Sequence, residues 1–327
     1  MGLLLTIAKR ILYAIGLLVA VLVLNFLLIH LSPGDPAQVI AGEMGGASAD
    51  QLARIRAAYG LDRPLIEQLA IYLGRVAQGD LGFSFYFDRP VLDLIVSRIP
   101  ATVLLVVTSL VMAIGIGTLL GVLASRKPNG LVSHLITVGS LFGFATPVFW
   151  IGIMLMILFA GALQWFPVSG MRSVALREAG FFEYILDVLW HLVLPAITLA
   201  VIYIAQYSRL SRASMLETLG ADYIRTARAK GVPERRVVFK HALRNAILPV
   251  VTMAGLQFSQ LFAGAILVET VFNWPGMGRL AFESILRRDH PTLLGILFFS
   301  ALIVVVVNLL TDVVYRLVDP RIRTTSS

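Results

Sequence analysis

Long apolar segments alternate with shorter polar ones along almost the whole chain. Each apolar segment holds about 20 residues with few or no charges, the length that an α-helix needs to cross the hydrocarbon core of a bilayer. This pattern predicts six membrane spans. They cover residues 11–31, 101–124, 131–163, 191–210, 247–268 and 291–318.

The composition supports a membrane protein. Of the 327 residues, 58% are hydrophobic and only 14% are charged, whereas soluble domains carry about 25% charged residues. We therefore predict an all-α, polytopic membrane fold. The chain has no cysteine, which excludes disulfides and thiolate metal sites.

The positions of the basic residues predict the orientation of the spans. Lysine and arginine collect on the cytoplasmic side of membrane proteins. Here they precede the first span at Lys9 and Arg10, follow the second at Arg126 and Lys127, and are densest between the fourth and fifth spans. With an even number of spans, both termini are predicted to be cytoplasmic. The net charge of +8 is attributed to the excess of basic residues on the cytoplasmic side.

The first two spans are separated by a long, mostly polar segment, residues 32–98, which this topology makes extracytoplasmic. Ser48 and Gln51 have the spacing of a capping box, which predicts a short helix that ends at Gly60. A second helix is predicted to begin at Pro64. Its apolar face is predicted from helical spacing to comprise Leu65, Leu69, Tyr72 and Val76.

The loop of residues 213–246 carries the densest positive charge of the chain. Gly231 and Pro233 predict the end of one helix, at Lys230, and the start of another. The second helix has a charged stripe (Arg236, Lys240, Arg244) and an apolar stripe (Val238, Ala242, Ala246). These residues alone leave three interpretations open: charge that only fixes topology, binding of anionic lipid headgroups, or docking of a protein. Nucleic acid is not favoured, since no aromatic residues interleave with the charge.

Several short motifs in a fixed order make the chain similar to a known family. The loop reads Arg225-Thr-Ala-Arg-Ala-Lys-Gly231 and then His241-Ala-Leu-Arg-Asn-Ala-Ile-Leu-Pro249. This resembles the cytoplasmic "EAA" loop of ABC-importer permeases, in the form found in the dipeptide/oligopeptide branch of binding-protein-dependent transport systems. Supporting motifs are Ser32-Pro-Gly-Asp-Pro36, Tyr59-Gly-Leu-Asp-Arg-Pro64, Gly79-Asp-Leu-Gly-Phe-Ser-Phe85, Phe272-Asn-Trp-Pro-Gly-Met-Gly278 and Asn308-Leu-Leu-Thr-Asp312.

The resemblance implies a coupling helix that docks on a cytoplasmic ATPase subunit. The residues it assigns to this role are Arg225, Thr226, Ala227, Arg228, Lys230 and Gly231. Ala227 and Gly231 match the second alanine and the glycine of the general motif. Arg225 and Thr226 stand where that motif has glutamate and alanine, which leaves open the ATPase residue that each of them meets.

The resemblance also implies the partners and the place of the protein. These are a homologous second permease, two ATPases that hold ATP and magnesium, an extracytoplasmic solute-binding protein, and the lipid of a bacterial inner membrane. The chain has no phosphate-binding G-x-x-x-x-G-K-[ST] motif and no recognisable catalytic or metal-binding constellation. We therefore expect a transport subunit that is not itself an enzyme and binds no cofactor.

Four polar residues within the spans are candidates for a translocation path: Gln206, Gln257, Gln260 and Asn308. Hydrogen bonding between helices is the alternative for the glutamines, and pairing of neighbouring Asp312 with Arg316 is the alternative at the last span. Two pairs of glycines four residues apart, Gly117/Gly121 and Gly139/Gly143, predict close helix packing.

The predicted organisation has three parts. Residues 1–98 hold the first span and the extracytoplasmic segment, residues 99–320 hold the permease core, and residues 321–327 form a tail. Uptake of di- or oligopeptides by alternating access is the function that the resemblance implies. The same machinery importing glutathione or nickel chelates is one alternative. An ion-coupled secondary transporter is another, although that class usually shows buried mid-span acids and often inverted repeats.

Overall fold

The computed structural model describes residues 2–31, 35–41, 48–173 and 180–318, without the side chains of residues 2–9, 58, 59, 256, 259 and 312–318. These residues are mainly helical. The α-helices are α1 Gly2–Leu31, α2 Pro36–Ala41, α3 Ala49–Tyr59, α4 Leu65–Ala77, α5 Val91–Arg126, α6 Leu131–Ala145, α7 Val148–Leu155, α8 Phe181–Leu219, α9 Asp222–Ala229, α10 Glu234–Arg236, α11 Leu243–Ala246, α12 Leu248–Val271, α13 Met277–Leu286 and α14 His290–Val318. π-Helical turns occupy Met156–Ala162 and Val237–Ala242, and β1 (Phe83–Ser84) pairs with β2 (Arg89–Pro90) in an antiparallel hairpin.

The predicted all-α membrane class is confirmed. Among the described residues, four helices are long and apolar enough to cross a membrane, within α1, α5, α8 and α14. Two bent pairs of helices among the described residues pass the same test, which gives up to six spans if each pair crosses once. Five of these segments overlap most of a predicted span, whereas the pair Glu234–Ala246 and Leu248–Gly255 shares only its second helix with the predicted span 247–268.

The third predicted span is not a single straight helix. α6 and α7 meet at an angle of 106°, with Thr146 and Pro147 in extended backbone conformations between them. A proline disfavours helical geometry at the residue before it, and Thr146 follows this rule. Pro195, by contrast, lies inside the continuous helix α8, so proline alone did not predict where the chain bends.

The fourth span and the loop after it also differ from prediction. α8 begins ten residues before the predicted span and continues to Leu219, where the chain turns at Gly220 before α9. The single helix expected up to Lys230 is therefore two helices. At the break, the backbone of Ala221 is extended (φ −70°, ψ 150°).

The segment between the first two spans folds largely as predicted. The backbone N–H of Gln51 donates to the Ser48 hydroxyl, and the backbone N–H of Ser48 donates to the side-chain oxygen of Gln51. Gly60 ends α3 in the left-handed conformation (φ 62°). The predicted apolar face of α4 is wrong at one position, because Leu65 is 61% exposed and the polar Gln68 is buried instead.

The chain divides into two compact units, of which the first comprises Met1–Pro100 and Gly276–Val314. Within it, the Asn25 side-chain amide donates to the Leu294 carbonyl (3.1 Å) and joins α1 to α14. The hydroxyl of Ser84 donates to the carboxylate of Asp289 (2.5 Å), which fixes the β-hairpin to the start of α14. A small apolar core lies between α2 and α3.

The second unit comprises Ala101–Pro275 and the end of the chain, and α8 is its central helix. α6, α7 and α12 pack against α8, and the later part of α5 approaches it closely at Gly117 and Gly121. A Cβ atom on Gly121 would lie 2.6 Å from the Ser208 carbonyl oxygen. The predicted close packing is thus confirmed at this pair. In the second pair it is confirmed only at Gly143, where a Cβ atom would lie 3.1 Å from Val201, whereas a Cβ atom on Gly139 would meet no described residue within 4 Å.

Candidate functional site

The basic loop is anchored by a buried apolar core of its own. Ile224, on α9, is completely buried against residues from α5, α8 and the π-helical turn. The full cluster is Val122, Met215, Ile224, Val237, Val238, Ala242 and Ala246. Burying an isoleucine side chain contributes about 1.5–3 kcal/mol. Ile224, together with the half-buried Ala227, therefore holds this short helix against the ends of two long ones.

The end of α9 is set by a left-handed glycine. Gly231 has φ 75°, its amide donates to the Arg228 carbonyl, and the Val232 amide donates to the Ala227 carbonyl. This pair of bonds is the Schellman arrangement, which glycine permits because it has no Cβ atom. Val232 and Ala227 pack together against the buried cluster, so the turn is fixed by packing as well as by hydrogen bonds.

An ion pair closes the turn from outside. Arg228 Nε and Nη2 donate to the two carboxylate oxygens of Glu234 at 3.1 and 2.8 Å. The hydrogen bond with Arg228, with a further contribution from the charge of Arg126, lowers the pKa of Glu234, and the same bond raises the pKa of Arg228. Both side chains are about half exposed, so the pair shapes the surface more than it stabilises the fold.

The predicted coupling residues divide between the two faces of this turn. Ala227 is half-buried and packs inward, whereas the other five are exposed. Those five are Arg225, Thr226, Arg228, Lys230 and Gly231. The nearest acid to Arg225 is Asp222, at 3.4 Å, and 74% of the Arg225 side chain is exposed. The outer face of the turn is therefore polar and predominantly cationic.

The second half of the loop has the two faces that the sequence predicts. The charged stripe of Arg236, Lys240 and Arg244 is exposed, and the apolar stripe of Val238, Ala242 and Ala246 is buried. The helix that carries both stripes is π-helical from Val237 to Ala242. The Asn245 side-chain amide donates to the Tyr223 hydroxyl (2.9 Å), which ties this half of the loop to α9.

Two of the four translocation-path candidates are brought together. Gln257 on α12 donates from Nε2 to the Oε1 atom of Gln206 on α8 at 2.7 Å. Gln257 is 4% exposed, and its own Oε1 atom is buried without a hydrogen-bond partner. The side chains of Gln260 and Asn308 are exposed.

A buried polar group that the sequence analysis missed lies near the end of α12. Glu269 is completely buried and accepts a hydrogen bond from the Thr102 hydroxyl at 2.6 Å. Beside it, the indole of the buried Trp274 donates to the Ala101 carbonyl (2.9 Å). The sequence signal that could have indicated this site is the position of Glu269 directly after the predicted apolar span 247–268. Among the described residues, no group of three histidine or acidic side chains could hold a metal ion.

Comparison with known proteins identifies the family. The model described as "Binding-protein-dependent transport system inner membrane component" matches residues 117–324, and the model of its N-terminal part matches residues 3–106. The chain is 41% identical to the dipeptide transport system permease protein DppB of Escherichia coli (strain K12), over 97% of this chain and 98% of that protein. It is 39% identical, with the same coverage, to the oligopeptide transport system permease protein AppB of Bacillus subtilis (strain 168).

A solved structure shows the same fold. The MetNI methionine ABC transporter, in an inward-facing conformation, has a chain that superposes with a TM-score of 0.54 at 17% identity, covering 69% of this chain and 96% of its own. The resemblance read from the sequence motifs is thereby confirmed. The chain is a multi-pass membrane protein that belongs to the family of binding-protein-dependent transport system inner membrane components, in the branch of the dipeptide and oligopeptide permeases.

Proposed function

We propose that this protein imports di- and oligopeptides as one transmembrane subunit of an ATP-driven transporter. The observation that carries the proposal is the basic loop: its apolar side is buried within the chain, and its cationic side is exposed. A surface fixed in this way suits a protein partner better than a flexible lipid contact. The names of the relatives supply the peptide as the substrate.

The energy source in this proposal is outside the chain. The sequence has no phosphate-binding motif, so ATP and magnesium are assigned to two ATPase subunits. These dock on the outer face of Arg225–Gly231, which we place in the cytoplasm together with both termini. A homologous permease completes the membrane pathway, and a solute-binding protein delivers the peptide to the opposite side.

The test is transport in proteoliposomes that contain the chain with its candidate partners. Uptake of a labelled dipeptide should require both ATP and the binding protein, and glutathione and a nickel chelate serve as competing substrates. Uptake driven by a proton or sodium gradient without ATP would overturn the proposal in favour of a secondary transporter. This control is included because secondary transporters usually have buried acids, and Glu269 is one. It lies two residues before the end of α12 rather than in the middle of the span.

The path candidates can be tested one by one, because the chain has no cysteine. Single cysteines in place of Gln206, Gln257, Gln260 and Asn308 would be treated with a charged thiol reagent, with and without peptide. A residue that lines the path should react, and substrate should protect it. Cysteine at Leu310, an exposed apolar position of α14, is the control for a lipid-facing site.

A further inference from the structure

His30, near the end of α1, uses both of its ring nitrogens. Nδ1 lies 2.9 Å from the backbone carbonyl oxygen of Phe26. Nε2 lies 2.8 Å from the side-chain oxygen Oε1 of Gln68, on α4. The second contact joins the first span to a helix of the segment that follows it, and both helices belong to the first unit.

The orientation of the Gln68 amide is fixed by other partners. Its Nε2 atom donates to the backbone carbonyls of Leu61 (3.1 Å) and Arg63 (2.8 Å). Rotating the amide by 180° would point Oε1 at two carbonyl oxygens and lose both bonds. Gln68 is only 6% exposed, so water cannot replace them. The atom that faces His30 is therefore an acceptor.

Because an acceptor oxygen faces each ring nitrogen of His30, the contacts indicate the charge of the ring. A neutral imidazole has one N–H donor and one lone pair, whereas the imidazolium has two donors. Only the imidazolium can donate to both Phe26 and Gln68. The ring of Phe26 also lies over that of His30, with centroids 4.0 Å apart, and an aromatic face attracts a cation.

We propose that His30 is a proton-binding site, and that its proton fastens α4 to α1. When the proton is present, both hydrogen bonds form and the contact is complete. When it is lost, one ring nitrogen presents a lone pair to an oxygen atom, and the contact with Gln68 competes with the contact to Phe26. The proton therefore stabilises the α1–α4 contact, and its loss weakens that contact.

The charged groups around His30 are largely paired with one another. α2 carries none. Asp35 is held by Arg56, whose hydrogen bond lowers the pKa of that carboxyl group. Of the groups on α4 and the turn before it, Arg63 lies 3.7 Å from Glu67 and Arg75 pairs with Asp80. Among the described residues, α4 and the turn before it also carry Asp62 and Tyr72, and His290 lines a small cavity together with Tyr72.

His290 determines the design of the experiment, because it is the other histidine of the first unit. Hydrogen exchange of the α4 amides would be measured on the full chain in lipid nanodiscs, at about pH 5.5 and about pH 8, and corrected for intrinsic exchange rates. The unmodified chain should lose about tenfold of its protection at the higher pH, the loss expected for one charge-assisted hydrogen bond. His290→Gln should behave in the same way.

Two variants of the pair complete the test. His30→Gln should give protection that no longer depends on pH, because its amide does not titrate. In Gln68→Glu, overall protection should fall, because the second carboxylate oxygen faces the carbonyls of Leu61 and Arg63. The ratio of protection between the two pH values should nevertheless be smaller than in the unmodified chain, because a carboxylate stabilises the imidazolium. The proposal is overturned if the unmodified chain is equally protected at both pH values, or if His290→Gln abolishes the dependence while His30→Gln retains it. ATP-driven peptide uptake is not used in the test, so its outcome is independent of the proposed transport function.

Discussion

Arg228 and Glu234 join the two halves of the basic loop through paired hydrogen bonds that cross the turn at Gly231. This bond lowers the pKa of Glu234 below its ordinary value of 4.5. A carboxyl group with a lowered pKa contributes stability above its ordinary pKa, and that contribution is lost as pH falls through the lowered value. The ion pair across the turn should therefore be lost only under acidic conditions.

The mobility of a spin label can follow the loss of this ion pair. A label on Lys230→Cys should be less mobile at about pH 7 than at an acidic pH that protonates Glu234. In Glu234→Gln the same label should be more mobile at both pH values, because the neutral amide cannot replace the charged bond. Thermal stability should change by about 1 kcal/mol or less, as for other exposed ion pairs. A label whose mobility is unaffected by the substitution would contradict this account.

Two substitutions at Gly231 can distinguish the effect of backbone strain from the effect of side-chain bulk. Apart from its neighbours in the chain, no described residue has an atom within 4 Å of a Cβ atom built there, yet φ is 75°. Gly231→Ala and Gly231→Arg therefore share a strain of about 1 kcal/mol, and both should insert into the membrane. If the outer face of the turn docks on an ATPase, only the arginine variant brings bulk into that contact.

We expect ATP-driven peptide uptake to remain substantial in Gly231→Ala and to fall at least about tenfold in Gly231→Arg, equivalent to about 1.4 kcal/mol. Immunoblots of the membrane fraction would show equal amounts of the two variants. Equal uptake by both variants would exclude this position from the docking contact.

Close packing between α5 and α8 gives a test of the fold. In Gly121→Ala the new methyl group would lie 2.6 Å from a backbone oxygen, which side-chain rotation cannot relieve. Overpacking of this kind costs about 1–3 kcal/mol. Gly139→Ala, where space is open, should be neutral or slightly stabilising, because alanine favours helix more than glycine does. The melting temperatures of the two variants in detergent provide the comparison, and similar values would argue against the packing.

The buried bond between Thr102 and Glu269 predicts a loss of stability without a change in shape. Thr102→Val removes the hydroxyl donor at nearly constant volume, so we expect a cost of about 1–3 kcal/mol. Thr270→Val is the matched control, because that hydroxyl is exposed and donates to its own helix at Ile266. Chemical unfolding in mixed micelles would measure both, and a control that is destabilised as much as Thr102→Val would refute the assignment.

Local signals made part of the fold predictable. The capping box at Ser48, the left-handed glycine at Gly60 and the turn at Gly231 each depend on residues within a few positions, and each lies where the sequence predicts it. The two faces of the loop around Val238 follow from helical spacing in the same way.

Long-range contacts were not predictable in this way. Thr102 and Glu269 are 167 positions apart, and no periodicity relates them. Gln68 replaces Leu65 on the inner face of α4 because its amide has three hydrogen bonds to make there. The chain bends at Pro147 but continues as one helix through Pro195, so a proline alone does not determine where a bend lies.

The burial of Ile224 has a mechanical consequence. A helix that shares its core with Val122 of α5 and Met215 of α8 cannot be pushed sideways without displacing the ends of both. A force applied at the neighbouring Arg225 would therefore be transmitted directly to the cytoplasmic ends that we propose for α5 and α8.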